Sequence, residues 1–209
     1  AIRNVSFISG DDGIDLTGIN NARVRGNRIY FADGNGIEAE GIFGSRINRN
    51  RIFTPGRDGI SVSYGSELEV NKNRIFGSRI PGEEPEGDQI DLVQVKSQMV
   101  GFPFYQQDGI SLMNIDNVEA NENIIKNFDN GISIDGVDVA SFAQNQLSEN
   151  GYGFAAQGPF NGDFTLADNI FTDNETGALF GSGNITLEGV NQFIGGQTGM
   201  IFSPSFGKE

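Results

Sequence analysis

Apolar and polar residues alternate in short bursts along the chain, as in Ile14/Leu16, Ile60/Val62, Ile110/Leu112 and Ile132/Ile134. Period two over a few residues, bounded by Gly, Asn and Asp, predicts short half-buried strands joined by tight turns. Each pair follows a glycine of a regular ladder: Gly13, Gly36, Gly59, Gly109, Gly131, Gly153, Gly177 and Gly199, at steps of 23, 23, 50, 22, 22, 24 and 22. Short capping residues precede most of these glycines, among them Asp12, Asn35, Asp58, Asp108 and Asn130, and their side chains bond turn backbone.

A second ladder runs beside the first. Asn27, Asn50, Asn73, Asn123, Asn145 and Asn191 each lie 14 residues after a ladder glycine and Asn169 lies 16 after, while Asn4 precedes Asn27 by 23. Three before each Asn stand Val24, Ile47, Val70, Ala120, Phe142 and Leu166; two after stand Ile29, Ile52, Ile75, Ile125, Leu147, Phe171 and Phe193. Each unit therefore contains three strands and three turns.

A unit of about 22 residues cannot bury its own inner face, so successive units must stack. The pattern resembles the right-handed parallel β-helix family of pectate lyases, polygalacturonases, alginate epimerases, phage tailspikes and bacterial surface proteins. That resemblance implies an all-β, right-handed single-stranded parallel β-helix of about nine coils, one domain over residues 1–209, with Asn4, Asn27, Asn50, Asn73, Asn123, Asn145, Asn169 and Asn191 as a structural amide ladder. The interval of 50 breaks the rhythm. It fits two coils with an insertion at 78–87 and a divergent coil carrying Ile90 and Leu92; alternatively, the irregular segment 78–107 bulges outside the stack.

Composition narrows the chemistry. The 209 residues include no Cys and no His, which excludes thiolate and imidazole catalysis, disulfides and zinc fingers. A net charge of −14 argues against nucleic acid as a partner. No apolar run reaches the ~20 residues that cross a bilayer as a helix. These features suit an extracellular or cell-surface protein.

Asp11 and Asp12, with Asp15 three further on, resemble the paired-carboxylate element of polygalacturonases, whose carboxylates activate water and protonate a leaving group. The histidine-bearing and Arg-x-Lys elements of that family are absent. A pectate-lyase-like mechanism would instead use Ca2+ on outward carboxylates, for which Asp15, Glu38 and Asp91 are the candidates. Carboxylates beside repeat turns also serve as caps and solubilising faces, so an enzyme, a polysaccharide lyase or glycoside hydrolase, is the alternative rather than the preferred function.

The preferred function is structural. Residues 1–79 hold 11 basic and 9 acidic side chains, and residues 80–209 hold 3 and 19, an axial dipole. Ala1 and Glu209 fall nearly in phase on the repeat, the arrangement expected of a subunit that stacks on itself head to tail in a fibre or surface layer. Arg28, Arg51 and Arg74, directly after ladder asparagines, predict an outward basic ridge; Phe7, Tyr30, Phe53 and Phe76 follow at a fixed offset. With Tyr30 and Phe53, those arginines are candidates to bind an acidic polysaccharide, as in a glycan-binding adhesin or tailspike fragment. In the other reading the rings turn inward as core.

Overall fold

The computed structural model describes residues 1–8, 10–77, 108–156, 162–181 and 184–202. Every strand pairing among them is parallel. One turn of the spiral runs through Ile14–Thr17, Arg23–Arg25 and Arg28–Tyr30, then returns at Ile37–Glu40 to pair with Ile14–Thr17. Three strand faces result. The first begins at Ile14–Thr17 and ends at Thr198–Phe202, the second runs from Ile2–Arg3 to Asn184–Glu188, and the third from Ser6–Ile8 to Gln192–Ile194. The first two merge into one 14-stranded sheet because Asp108–Glu119 and Asn130–Ala143 continue around the corner between them; the third is a separate 8-stranded sheet.

The period-two residues supply the core. Val24, Ile47, Val70, Ala120, Phe142 and Leu166 are buried on the second face, and Ile29, Ile52, Ile75, Ile125, Leu147 and Phe171 on the third. Isoleucine dominates the first turns and phenylalanine the later ones, where Phe142 meets Phe154 edge to face with ring centroids 4.9 Å apart. Stacking equivalent apolar groups at the ~4.8 Å rung spacing gives each turn the apolar neighbour it lacks alone. The ladder glycines answer a shortage of room. A Cβ on Gly36 would lie 2.5 Å from the Gly59 carbonyl oxygen and 2.5 Å from Ile52 Cγ2.

Asparagine closes the turn between the second and third faces. The Asn50 N–H donates to Asn73 Oδ1 (3.0 Å), and its Nδ2 donates both to that oxygen (3.1 Å) and to the Val24 carbonyl (3.2 Å). The same pattern recurs from Asn27 to Asn191. Amides that are 0% exposed, as at Asn27, Asn50 and Asn73, thus keep partners, as buried polar groups require. A shorter second stack, Asn150 on Asn174, closes the following turn in later rungs, with Asn150 Nδ2 donating to Asn174 Oδ1 at 3.0 Å.

Three expectations are corrected. Asn4 does not stand in the ladder. Val5 does, its N–H donating to Asn27 Oδ1 at 3.1 Å, because the first turn pairs Ser6 with Arg28 and is therefore 22 residues long. Asn4 occupies the preceding position at φ 53°, the left-handed slot that Gly26, Arg49 and Lys72 fill in later turns and that asparagine tolerates. The same shift places Phe7 opposite Ile29 and leaves Ile8 opposite Tyr30.

The coil count also changes. Ile60 pairs directly with Ile110, and Arg74 with Ile124, so the step of 50 residues is a single turn. The described residues form eight rungs, or seven full turns, instead of nine coils. The expected coil with Ile90 and Leu92 lies outside the described residues, and no rung separates its neighbours.

Candidate functional site

The turn leading from the third face to the first carries a file of acids and amides: Asp12, Asn35, Asp58, Asp108 and Asn130, one per rung. Each is the residue before a ladder glycine, so the Gly register sets its height. Side chains cap the next rung's backbone: the Asn35 N–H donates to Asp12 Oδ1 (2.6 Å), the Asp58 N–H to Asn35 Oδ1 (3.0 Å) and the Asp108 N–H to Asp58 Oδ1 (3.0 Å). Asn130 Nδ2 then donates to Asp108 Oδ1 (2.6 Å).

Two members of this file are acids on adjacent rungs. Burial first, and then the neighbouring Asp108 carboxylate, push the Asp58 carboxyl up to about 7, against the opposing Asp108 N–H and the Arg57 charge. Burial also raises Asp108, against hydrogen bonds from Asn130, Ser133 and Ser111. A carboxyl that titrates at about 7 beside a second raised acid can exchange a proton near neutral pH, the property required of a general acid or base.

A second file faces outward beside it. Asp15, Glu38, Ser61, Ser111 and Ser133 are register partners along the first face. Glu38 is raised mainly by burial and also by its hydrogen bond with Asp12, and it accepts a hydrogen bond from Asn35 Nδ2 (3.3 Å). Asp15 accepts from Thr17 Oγ1 at 2.8 Å. The strip therefore presents carboxyl, amide and hydroxyl groups at rung intervals.

The structure distributes the residues singled out by sequence unequally. Asp12 and Asp15, on the first rung, lie against Glu38 of the second, whereas Asp11 is exposed and its carbonyl accepts from the Gly34 N–H (2.7 Å). In sequence, the perturbed acids Asp58 and Asp108 are indistinguishable from the ordinary turn caps that precede the other ladder glycines. Asp15 and Glu38 pair across rungs, but the column continues with Ser61, and no group of three or more metal-binding residues forms among the described residues. The calcium set of Asp15, Glu38 and Asp91 is thus not assembled there; Asp91 lies outside the described residues.

Arg28, Arg51 and Arg74 stack in register on the third face. Tyr30 and Phe53 do not join them as a binding surface. They are 7% and 5% exposed and stack with centroids 5.1 Å apart. Phe31 and Thr54, the residues after them, adopt φ of 55° and 48°, and the chain turns the corner with both rings inside.

A continuous spiral of parallel three-strand rungs defines the β-helix solenoids, and residues 1–82 match the family model described as "Right handed beta helix region". Residues 86–207, more than half of the chain, match the model described as "Periplasmic copper-binding protein (NosD)". The chain belongs to this NosD family of right-handed parallel β-helices. The chain is also similar to two solved structures. "The complex structure of XylC with xylose" is 13% identical with a TM-score of 0.39, covering 81% of this chain and 32% of that one. "Crystal Structure of the periplasmic alginate epimerase AlgG" is 12% identical with a TM-score of 0.41, covering 91% and 47%. The chain spans about a third to a half of the length of these structures. No curated protein matches it.

The copper in the family's description finds no suitable donor set among the described residues. Copper favours imidazole and sulfur ligands, and the chain has no His, no Cys and three Met. Met113 is exposed and sits opposite Ser63 and Asp135. Met200 packs against the core four rungs from Ile110, the residue at its register position in Met113's own strand. The two sulfurs therefore do not converge. No helix among the described residues is long and apolar enough to cross a membrane.

Proposed function

We propose that this chain is part of an exported β-helix protein that handles polysaccharide along the strip beside the first face, with Asp58 and Asp108 as its proton-transfer pair. The observation that carries this reading is the Asp58 carboxyl, pushed up to about 7 next to a second buried acid. Such a pair supplies a proton to a departing glycosidic oxygen from one member while the other accepts one from water or a sugar hydroxyl. Flanking hydroxyls and amides, repeated at the ~4.8 Å rung spacing, suit a linear polymer of hydroxylated units. Export is supported by the word "periplasmic" in the family's description.

The test is incubation of the chain with a panel of neutral and uronate polysaccharides, with and without calcium, following new reducing ends and unsaturated products. Turnover that disappears in Asp58→Asn and Asp108→Asn supports the proposal. Absence of turnover across the panel, or turnover that survives in both variants, overturns it. The head-to-tail fibre has no comparable support. Val5, Ile8, Leu187, Val190 and Phe202 are exposed in the end rungs, and any further rung, from this polypeptide or from another copy, would cover them.

A further inference from the structure

At a different corner, the one closed by the asparagine ladder, cations accumulate in files. Arg3 is paired with Arg25, Arg23 with Arg46, and Arg28 with Arg51 and Arg74, and Arg49 and Lys72 follow in the left-handed slots between them. Nine of the chain's 14 basic residues thus share one corner of a protein whose net charge is −14. Like charges on directly paired strand positions oppose folding. Two of these cations form ion pairs at the surface, Arg46 with Glu69 (2.9 Å) and Lys72 with Glu122 (3.1 Å), all four side chains being at least a third exposed. Arg3, Arg23, Arg25, Arg46 and Arg49 line a groove of about 370 Å³, and a second of about 300 Å³ opens around Arg28, Arg49 and Arg51.

We propose that this basic corner is a binding site for a polyanionic glycan, a linear chain carrying a carboxylate or sulfate on its sugars, laid along the helix axis. Guanidinium groups bind such anions through paired hydrogen bonds. Their files repeat at the ~4.8 Å rung spacing, close to the advance of an extended pyranoside chain per sugar. Single-stranded nucleic acid would also bring negative charge, but its binding relies on exposed aromatic platforms for the bases. Here Tyr30 and Phe53, the rings behind the arginines, are inside the protein. This site stands on residues separate from the Asp58 strip, so either assignment can fail without the other.

Isothermal titration of the 209-residue chain with polygalacturonate and heparin oligosaccharides, against a neutral glucan and a single-stranded DNA homopolymer, tests the inference. The expected result is saturable binding of the anionic glycans alone, weakening about tenfold or more between low and moderately raised salt. The double variant Arg23→Gln/Arg25→Gln, two exposed positions, should lose about tenfold or more in affinity with its circular dichroism unchanged, while Lys126→Gln binds like the parent. DNA bound as tightly as the glycans, salt-sensitive self-association with no glycan binding, or equal affinity in the double variant would each overturn it. Turnover of a neutral polysaccharide with no anionic-glycan binding would sink this site and leave the Asp58 proposal standing.

Discussion

The Asp108 N–H donates to Asp58 Oδ1 at 3.0 Å, so the rung that anchors the Asp58 carboxyl also brings the carboxylate that discourages its ionisation. Burial does most to raise Asp58, and the pairing of residues 50 apart in sequence supplies both its hydrogen-bond donor and the second contribution, the Asp108 charge.

Stability should therefore depend on pH in a defined direction. An unfolded aspartate titrates near 4, whereas Asp58 titrates at about 7 in the fold. Between those values the folded state retains a proton that the unfolded chain has released. Stability then falls as pH rises from about 4 to about 7, by up to about 1.4 kcal/mol per pH unit, and levels off above. The raised Asp108 and Glu38 act in the same sense. Chemical denaturation across this range should show the slope in the parent and a flatter profile in Asp58→Asn, which keeps the oxygen that caps Asp108.

Asn50→Ala should cost about 2–4 kcal/mol, read from the urea midpoint. It strips the acceptor from both the Asn27 N–H and the Asn27 Nδ2 and removes the donor to the Val24 carbonyl. Asn50→Asp should also destabilise, because the amide nitrogen that donates to that carbonyl and to Asn73 Oδ1 is replaced by an oxygen.

Replacing residues 78–107 with a short loop should leave the stack intact. In the preceding turn, four residues connect Phe53 to Asp58, and the equivalent flanks Phe76 and Asp108 already belong to consecutive rungs. A circular dichroism spectrum and melting temperature close to those of the parent are expected; loss of β signal would show that the removed residues support the stack.

Copper titration followed by desalting and elemental analysis should leave well under one equivalent bound to this chain, since its two described thioethers do not converge and it has no imidazole or thiol.

The repeat was legible because it depends on spacing alone: Ile29, Ile52 and Ile75 recur at a constant offset from Asn27, Asn50 and Asn73 and are all buried. Asn4 misled because asparagine serves both as a ladder amide and as a left-handed turn residue, and only strand register distinguishes the two. The 50-residue step allows two readings because its length suits two turns as well as one with an outward bulge, and the count of nine coils follows from the first, which direct pairing of Ile60 with Ile110 excludes. Asn150 and Asn174 went unnoticed since two members, 24 apart, barely form a series. For Asp58 and Asp108 the decisive quantities are burial and a neighbour on the next rung, and neither is written in the local sequence. Tyr30 and Phe53 depended on where the strand ends, since the corner at Phe31 and Thr54 interrupts the alternation that sends every second side chain outward.

The amide ladder also has a direction. Along it, the backbone N–H of each asparagine ends on the amide oxygen of the rung that follows. During synthesis the amino-terminal coils emerge first, and the newest of them carries N–H groups whose acceptor has not yet left the ribosome. The ladder N–H of each coil is thus satisfied only when its successor is in place, so a partly made spiral always ends on one asparagine whose acceptor is still to come.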